Sequence, residues 1–263
     1  MPKFDRAMLW EIKSDKLPKS SYLFGTMHAK SAQAYVYFEL AKKYLLLCDE
    51  FSGEIDLSVI GSEANSIMMP MDFNFEEYVG IKKFQKLEKK VKKYFNVSLS
   101  DFKHFKPMIT LNILQESSMQ NEHTYALDFE LKELAQANGL TLSGIESFQE
   151  QQAIFNAISV DDQVNMFVKM LKNISKSNKS FQKILKYYDK AALNAMYKIS
   201  LKSLGAQKKL LLLDRNKIMA ERIFNKIQDS HCFVAIGAAH LGGSKGVLNL
   251  LSKKGLELRP VIQ

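Results

Sequence analysis

The sequence predicts an α/β fold: a central, mostly parallel sheet with flanking helices and a long helical insertion. Three observations lead there. Short apolar runs alternate with helical patterns at both ends of the chain, as in βαβ construction. Two of those runs, SYLFGTMH (Ser21–His28) and HCFVAIGAAH (His231–His240), each end in Gly-x-x-His. Between the two ends lies a stretch, residues 148–229, whose periodicity is almost entirely helical.

Taken in order, Leu9–Ile12 reads as a short edge strand, and Pro18 with Ser20–Ser21 as a turn. Tyr22–Phe24 is a buried strand running into Gly25. Ala32–Cys48 carries Ala34, Tyr37, Phe38, Ala41 and Leu45 at helical spacing, with Ser31 as its N-cap. Asp49–Asp56 is the next strand, with Glu54 at its carboxyl end, and forms a βαβ unit with the first. Leu57–Phe75 is mixed and Met-rich (Met68, Met69, Met71), suited to a mobile segment or a partner-facing helix. A lysine-rich helix covers Phe75–Phe95. After a turn near Val97–Asp101, Pro107 starts a helix reaching about Ser117. Tyr125–Asn138 is helical, closed by Asn138–Gly139, and Leu140–Ile145 is a strand that delivers Glu146. Breaks fall near Ser159–Asp161, Ser175–Ser180 and Ser203–Ala206, ahead of a long helix Lys208–Gln228. The strand Cys232–Ile236, a turn to His240, a helix Lys245–Lys253 and a strand Leu256–Val261 complete a second βαβ unit. No Pro/Gly/Ser-rich linker interrupts the 263 residues, which hold only 5 prolines. The expectation is one domain spanning 1–263, with helical insertions at about 57–124 and 148–229.

Composition bounds the function. At 46% hydrophobic and 25% charged, the chain is ordinary globular material with room for a sizeable core. No apolar run reaches the ~18 residues of a membrane span, and the N-terminus lacks the apolar core and cleavage site of a signal peptide. The chain as written is therefore expected in the cytoplasm; a mature chain already cleaved for the periplasm or for secretion would read the same. Cys48 and Cys232 lack metal-type spacing and read as small buried residues in apolar surroundings that raise a thiol pKa. Much of the net charge of +9 comes from Ile81–Lys106, with nine lysines against Glu88 and Asp101. Those lysines alternate with Phe84, Leu87, Val91 and Phe95 at helical spacing, which favours a solvated face over a nucleic-acid site; no arginine cluster or RNA-binding aromatic signature argues otherwise.

The chemistry concentrates in four residues. His28, Glu54, Glu146 and His240 are each expected at the same end of a different strand, the edge at which parallel sheets place ligands. Two imidazoles and a carboxylate suit a borderline divalent ion such as Mn²⁺, Co²⁺ or Zn²⁺, and a nearby carboxylate could serve as general base. Taken singly, a histidine after a strand is more often a structural one bonded to backbone; the pairing is what favours a site. Asp56 is either a helix-capping partner or a group orienting His28. Arg215 and Asn216 on an otherwise apolar helix are either a salt bridge at the core edge or an oxyanion clamp. His104, His123 and His231 occupy no comparable place and read as surface or capping residues. There is no G-x-S-x-G, Walker loop, H-E-x-x-H or G-x-G-x-x-G after a strand.

In order, the segments AMLWEI, SYLFGTMH, LCDEFSGEIDL, LDFELKELAQANGLTLSGIESFQEQ, LLDRNKIMAERI and FVAIGAAHLGGSKGVLNLLSKKGLELRPV resemble the motifs of the TraB/GumN family, which also covers pheromone-shutdown and Tiki proteins. The resemblance runs from about Leu9 to Val261. It implies a fold like that of erythromycin esterases and ChaN, and a metallopeptidase activity like that of Tiki members, which use Mn²⁺ or Co²⁺. It would place His28, Glu54 and His240 at the metal, Arg215 and Asn216 on the family's Arg-Asn motif, and Glu146 on its Gly-Leu-Glu segment, here Gly144-Ile145-Glu146. Other family members are named for polysaccharide production or pheromone control.

The expected function is thus a metal-dependent hydrolase, a peptidase acting on a peptide or protein, with Glu54 or Glu146 as base and Arg215 steadying the oxyanion. Three alternatives stand beside it. A non-catalytic metal- or haem-binding protein would give a Soret band with haem and no cleavage. A metal-independent esterase would keep its activity in chelator. An interaction module would work through the Met-rich segment or the lysine helix. The oligomeric state is left open by the sequence.

Overall fold

The computed structural model describes residues 4–13, 19–56, 73–117 and 122–262. The Met-rich segment expected after the third predicted strand lies, over 57–72, outside these residues. The strands are β1 (Leu9–Lys13), β2 (Ser21–Thr26), β3 (Glu50–Ile55), β4 (Thr141–Glu146), β5 (Cys232–Gly237) and β6 (Glu257–Val261). The helices are α1 (Phe38–Leu45), α2 (Phe75–Val79), α3 (Ile81–Phe95), α4 (Pro107–Ser117), α5 (Leu127–Ala137), α6 (Phe148–Asn156), α7 (Val160–Lys172), α8 (Ile174–Asp189), α9 (Leu193–Leu204), α10 (Asp214–Asp229) and α11 (Val247–Lys253).

The chain divides into two compact units, one of Met1–Leu57, Asn121–Phe148 and Phe181–Gln263, the other of Ser58–Gln120 and Gln149–Ser180. The first contains a six-stranded sheet in the order β4-β3-β5-β2-β1-β6. β4, β3, β5 and β2 pair in parallel, while β1 runs antiparallel to both β2 and β6. The expected α/β architecture with a mostly parallel sheet is present. β2 is buried along its whole length and β5 nearly so, as central strands covered on both faces must be. Helices α1 and α5 pack together, with α1 on β2 and α5 on β3 and β4; α10 and α11 form a second pair, with α10 on β4 and β5 and α11 on β6.

The sheet corrects two sequence expectations. β1 is not an edge strand: β6 pairs along it from Leu9↔Val261 to Lys13↔Glu257. The edge falls to β6, whose Pro260 has no N–H to give a further neighbour. Both βαβ units are split, with β5 inserted between β2 and β3, and with β2 and β1 between β5 and β6.

Local chemistry explains the differences along the chain. The expected helix Ala32–Cys48 is a 3₁₀ turn, Ala32–Tyr35, followed by α1, and Ser31 makes no side-chain cap. The lysine-rich segment breaks into α2 and α3 at Gly80, whose φ of +83° belongs to the left-handed region that favours glycine. The expected break at Ser175–Ser180 falls earlier, at Asn173 between α7 and α8. An unexpected one follows α8, where Ala191 takes φ +48°. The long helix before β5 is interrupted by a π-helical turn, Lys209–Leu213, directly ahead of Asp214.

The second unit encloses its own core of Phe84, Leu87, Val91 and Phe95 from α3 against Val164, Phe167 and Leu171 of α7. Phe75 stands edge-on to Phe167 with ring centroids 5.5 Å apart. The four apolar positions read from the lysine helix are the four that it buries.

Gly25, near the end of β2, is where the turn after β5 comes closest. A Cβ there would lie 2.6 Å from Leu241 Cδ1 and 3.2 Å from the Ala238 Cα. Gly25→Ala is expected to cost about 1–3 kcal/mol by overpacking, read as a lower urea midpoint with an unchanged slope.

Candidate functional site

The two Gly-x-x-His motifs leave the sheet side by side. β2 and β5 are adjacent and parallel, with Gly25 opposite Ile236 and Thr26 opposite Gly237. β3 is β5's other neighbour and carries Glu54 towards the same edge. β4 lies beyond it and ends on Glu146, opposite Ile55. The four strands therefore deliver the four sequence-predicted residues to one end of the sheet, with side chains in unlike surroundings.

Arg215 ties the two carboxylates together. Its Nη2 donates to Glu54 Oε1 at 2.5 Å and to Glu146 Oε2 at 2.6 Å, and its Nε donates to both Glu146 oxygens at 3.1 Å. Nη1 reaches back to the Leu211 carbonyl, inside the π-helical turn, at 3.4 Å. That turn widens the helix just before the arginine, a distortion that recurs at functional sites. The Glu146 side chain is 2% exposed and that of Arg215 12%, whereas that of Glu54 is 27% exposed. Glu54 is thus the carboxylate that faces outward, and Glu146 lies behind it.

Glu54 Oε2 also accepts from the Gly237 N–H at 2.9 Å. Burial alone would push its carboxyl up. At the low pH where this carboxyl titrates, the protonated His240 ring and Arg215, with the Gly237 N–H, outweigh that and hold it at about 2. A folded value depressed from 4.5 gives stability that is present above the unfolded value and is lost as pH falls towards 2. The shift corresponds to about 3 kcal/mol. Urea titrations of wild type and Glu54→Gln are expected to differ most near pH 7 and to converge between pH 4.5 and 2; a gap independent of pH would remove the carboxylate's charge from the account.

His240 is buried, 6% exposed, and its Nδ1 lies 2.6 Å from Asn216 Oδ1. Asn216 Nδ2 donates to the Lys245 carbonyl at 2.8 Å, which turns the amide oxygen towards the ring. The ring proton therefore sits on Nδ1, and Nε2 keeps its lone pair. Burial lowers the His240 pKa, so the neutral form is favoured. A Cβ added at Gly237 would lie 3.2 Å from Glu54 Oε2 and 3.5 Å from His240 Cδ2, so the bare glycine lies between the two side chains.

His28 is more open, its side chain 58% exposed. Its Nδ1 lies 2.9 Å from both oxygens of Asp128, an acceptor that again fixes the proton on Nδ1. The backbone after β2 holds this partner in place. The Lys30 carbonyl accepts from the N–H groups of Glu122 and His123, at 3.0 and 2.9 Å, and the Ala29 carbonyl accepts from Leu127 N–H at 3.3 Å. Asp128 stands in the first turn of α5, where a negative charge suits the helix dipole.

Sequence reasoning missed Asp128, whose only local signal is that of an acid opening a helix. It also missed Glu50, at the opposite end of β3 from Glu54. Glu50 takes hydrogen bonds from Lys226 at 2.6 Å, Ser143 at 2.6 Å and Ser230 at 2.9 Å. The alternation Glu50-x-Ser52-x-Glu54 puts one acid at each end of one strand face, and α10 meets them with Arg215 and Lys226.

The remaining candidates are accounted for within the fold. His104 Nδ1 lies 2.7 Å from the Phe73 carbonyl, His123 stacks on Tyr35 with centroids 3.6 Å apart, and His231 Nε2 lies 3.7 Å from Cys48 Sγ. Both cysteines are free and buried, and burial pushes Cys48 up to about 12 and Cys232 to about 11, as expected of inert thiols. Among the described residues, no three His, Cys, Asp or Glu side chains stand close enough together to hold a metal ion, and no helix is long and apolar enough to cross a membrane.

Comparison with curated proteins gives no match, and neither does comparison with solved structures. The sequence does match the TraB/PrgY/gumN family from residue 8 to residue 260, a span that takes in all six strands except the last residue of β6, and every residue of the site. A match over nearly the whole chain means that this protein belongs to the TraB/PrgY/gumN family.

Proposed function

We propose that the chain is a metal-dependent hydrolase, a peptidase of the TraB/GumN/Tiki type that cleaves a peptide or protein. The observation that carries this reading is the shared anchoring of the two histidines. Nδ1 of His28 is held by Asp128 and Nδ1 of His240 by Asn216, which leaves Nε2 as the ligating nitrogen of each. Metal-binding histidines are held in this way by outer partners.

The donor chemistry suits Mn²⁺, Co²⁺ or Zn²⁺. His28, His240 and Glu54 would hold the ion, although the described side chains do not stand as a three-ligand cluster. An ion bound there supplies a water of lowered pKa and polarises the scissile carbonyl. Glu54, held ionised and facing outward, suits a ligand better than a base, because a base works best with a pKa near the working pH. Glu146 is taken up by Arg215, so both are positioning residues in this reading: Glu146 holds the guanidinium, and the guanidinium fixes Glu54 and keeps it charged. Arg215 spends Nε and Nη2 on carboxylates, which argues against a primary part for it as an oxyanion donor. Asn216 acts through His240.

One observation favours a second reading. The exposed His28, backed by Asp128, is also the pair that would let a histidine take a proton from water or a hydroxyl without metal, as in an esterase. The test separates the two. The protein is stripped with chelator, and Mn²⁺, Co²⁺ or Zn²⁺ is added back singly. Bound ion is quantified, and cleavage of a mixed peptide library and of simple esters is followed by mass spectrometry, with His28→Ala and His240→Ala alongside. Ion-restored peptide cleavage lost in both variants supports the metallopeptidase. Ester cleavage that survives chelator and is lost only in His28→Ala supports the second reading.

A further inference from the structure

Apart from the sheet-edge site, α3 bears a feature that its own stability does not explain. Helical geometry places Phe84, Leu87, Val91 and Phe95 on the buried side. Lys82, Lys86, Lys89 and Lys93 recur at i, i+4, i+7 and i+11 and fall on the side directly opposite, all four exposed. At 1.5 Å per residue they form a straight stripe roughly 16 Å long.

The stripe works against the helix that carries it. Like charges three or four residues apart destabilise a helix, and no acidic residue stands three or four positions from any of the four lysines to relieve them. The one acid of α3, Glu88, is spent elsewhere, accepting from Ser98 Oγ at 2.9 Å and Leu99 N–H at 2.6 Å. Lys82, with Lys83, also lies in the first turn, where the helix dipole disfavours positive charge and where α3 has no acid. An external array of negative charge would relieve every one of these repulsions at once.

We propose that the Lys82–Lys86–Lys89–Lys93 stripe is a docking surface for an anionic lipid membrane. A row of lysines on a convex helix is matched by a plane of negative headgroups, which needs no groove. Lysine supplies point charges rather than the planar fork with which arginine grips phosphate groups, and α3 contains no arginine. The surface requires nothing of the hydrolase reading.

The test is co-sedimentation of the full chain with vesicles of phosphatidylcholine alone or with 30% phosphatidylglycerol. Each lysine at the surface contributes about fivefold in partitioning, so the stripe is worth a few hundredfold. Binding only to the anionic vesicles, weakened by 0.5 M salt and lost in Lys82→Gln/Lys86→Gln/Lys89→Gln/Lys93→Gln, supports the proposal. The charge-matched control, Lys198→Gln/Lys202→Gln/Lys208→Gln/Lys253→Gln, should keep binding; circular dichroism melts confirm that both variants fold. Absence of anionic-vesicle binding, or equal loss in both variants, overturns it. So does stripe-dependent binding of a 30-nucleotide RNA or DNA without vesicle binding, which would give the surface a nucleic-acid partner.

Discussion

Arg215→Met is expected to destabilise the sheet-bearing unit by about 3–5 kcal/mol, the usual cost of removing one partner from a buried ion cluster. Methionine keeps most of the volume, so the loss is electrostatic. Glu146, with a side chain 2% exposed, would be left charged beside Glu54 with no cation between them. Two consequences separate this from simple loss of packing. Adding Glu146→Gln to the methionine variant removes the uncompensated charge and should restore a substantial part of the stability. Lowering the pH should also shrink the deficit, because without the guanidinium the Glu54 carboxyl takes up its proton at higher pH than in wild type, where it sits at about 2. Urea titrations at pH 7 and pH 4.5 on the two variants measure both. A deficit under about 1 kcal/mol that pH does not change would mean that solvent screens the cluster as it screens a surface pair.

That cluster shows which parts of the site could be read in advance. The delivery of Glu54, Glu146, His28 and His240 to one end of the sheet was legible: the histidines follow short apolar runs, and each glutamate closes a predicted strand, which fixes the end at which the strand stops. Arg215 and Asn216 were legible through the resemblance, which puts them on the family's Arg-Asn motif, though not their division of labour: adjacent in sequence, they point to different partners, the carboxylates and His240. Asp128 was not legible as a site residue. Its place beside His28 depends on backbone hydrogen bonds between Ala29–Lys30 and 122–127, contacts 92 to 98 residues apart that no local pattern encodes. Strand order had the same character. The alternation of elements gives a parallel sheet, but whether β6 or β1 holds the edge depends on which strands pair, and that is decided by long-range packing.

Asp128→Asn has the largest range of expected effects on activity, and its size sorts the two readings of His28. The substitution keeps the side chain's shape and an oxygen acceptor for Nδ1, but removes the negative charge. If His28 is a metal ligand, Asp128 is an outer partner, and its loss costs 10–100-fold in ion affinity or activity. Excess ion should then recover most of the rate. If His28 is the base, Asp128 must hold the tautomer and stabilise an imidazolium as the proton is taken, and the asparagine form of such a pair loses about 10⁴-fold. Added ion would restore none of that, and chelator would not touch what is left. The exposure of the pair sharpens the comparison: with His28 58% and Asp128 29% exposed, the substitution strands no deeply buried charge, so a large kinetic loss with little change in Tm belongs to the chemistry. Wild-type rates in Asp128→Asn would remove the partner from both readings and leave His240, anchored by Asn216, as the one of the two sheet-edge histidines whose orientation matters to the chemistry.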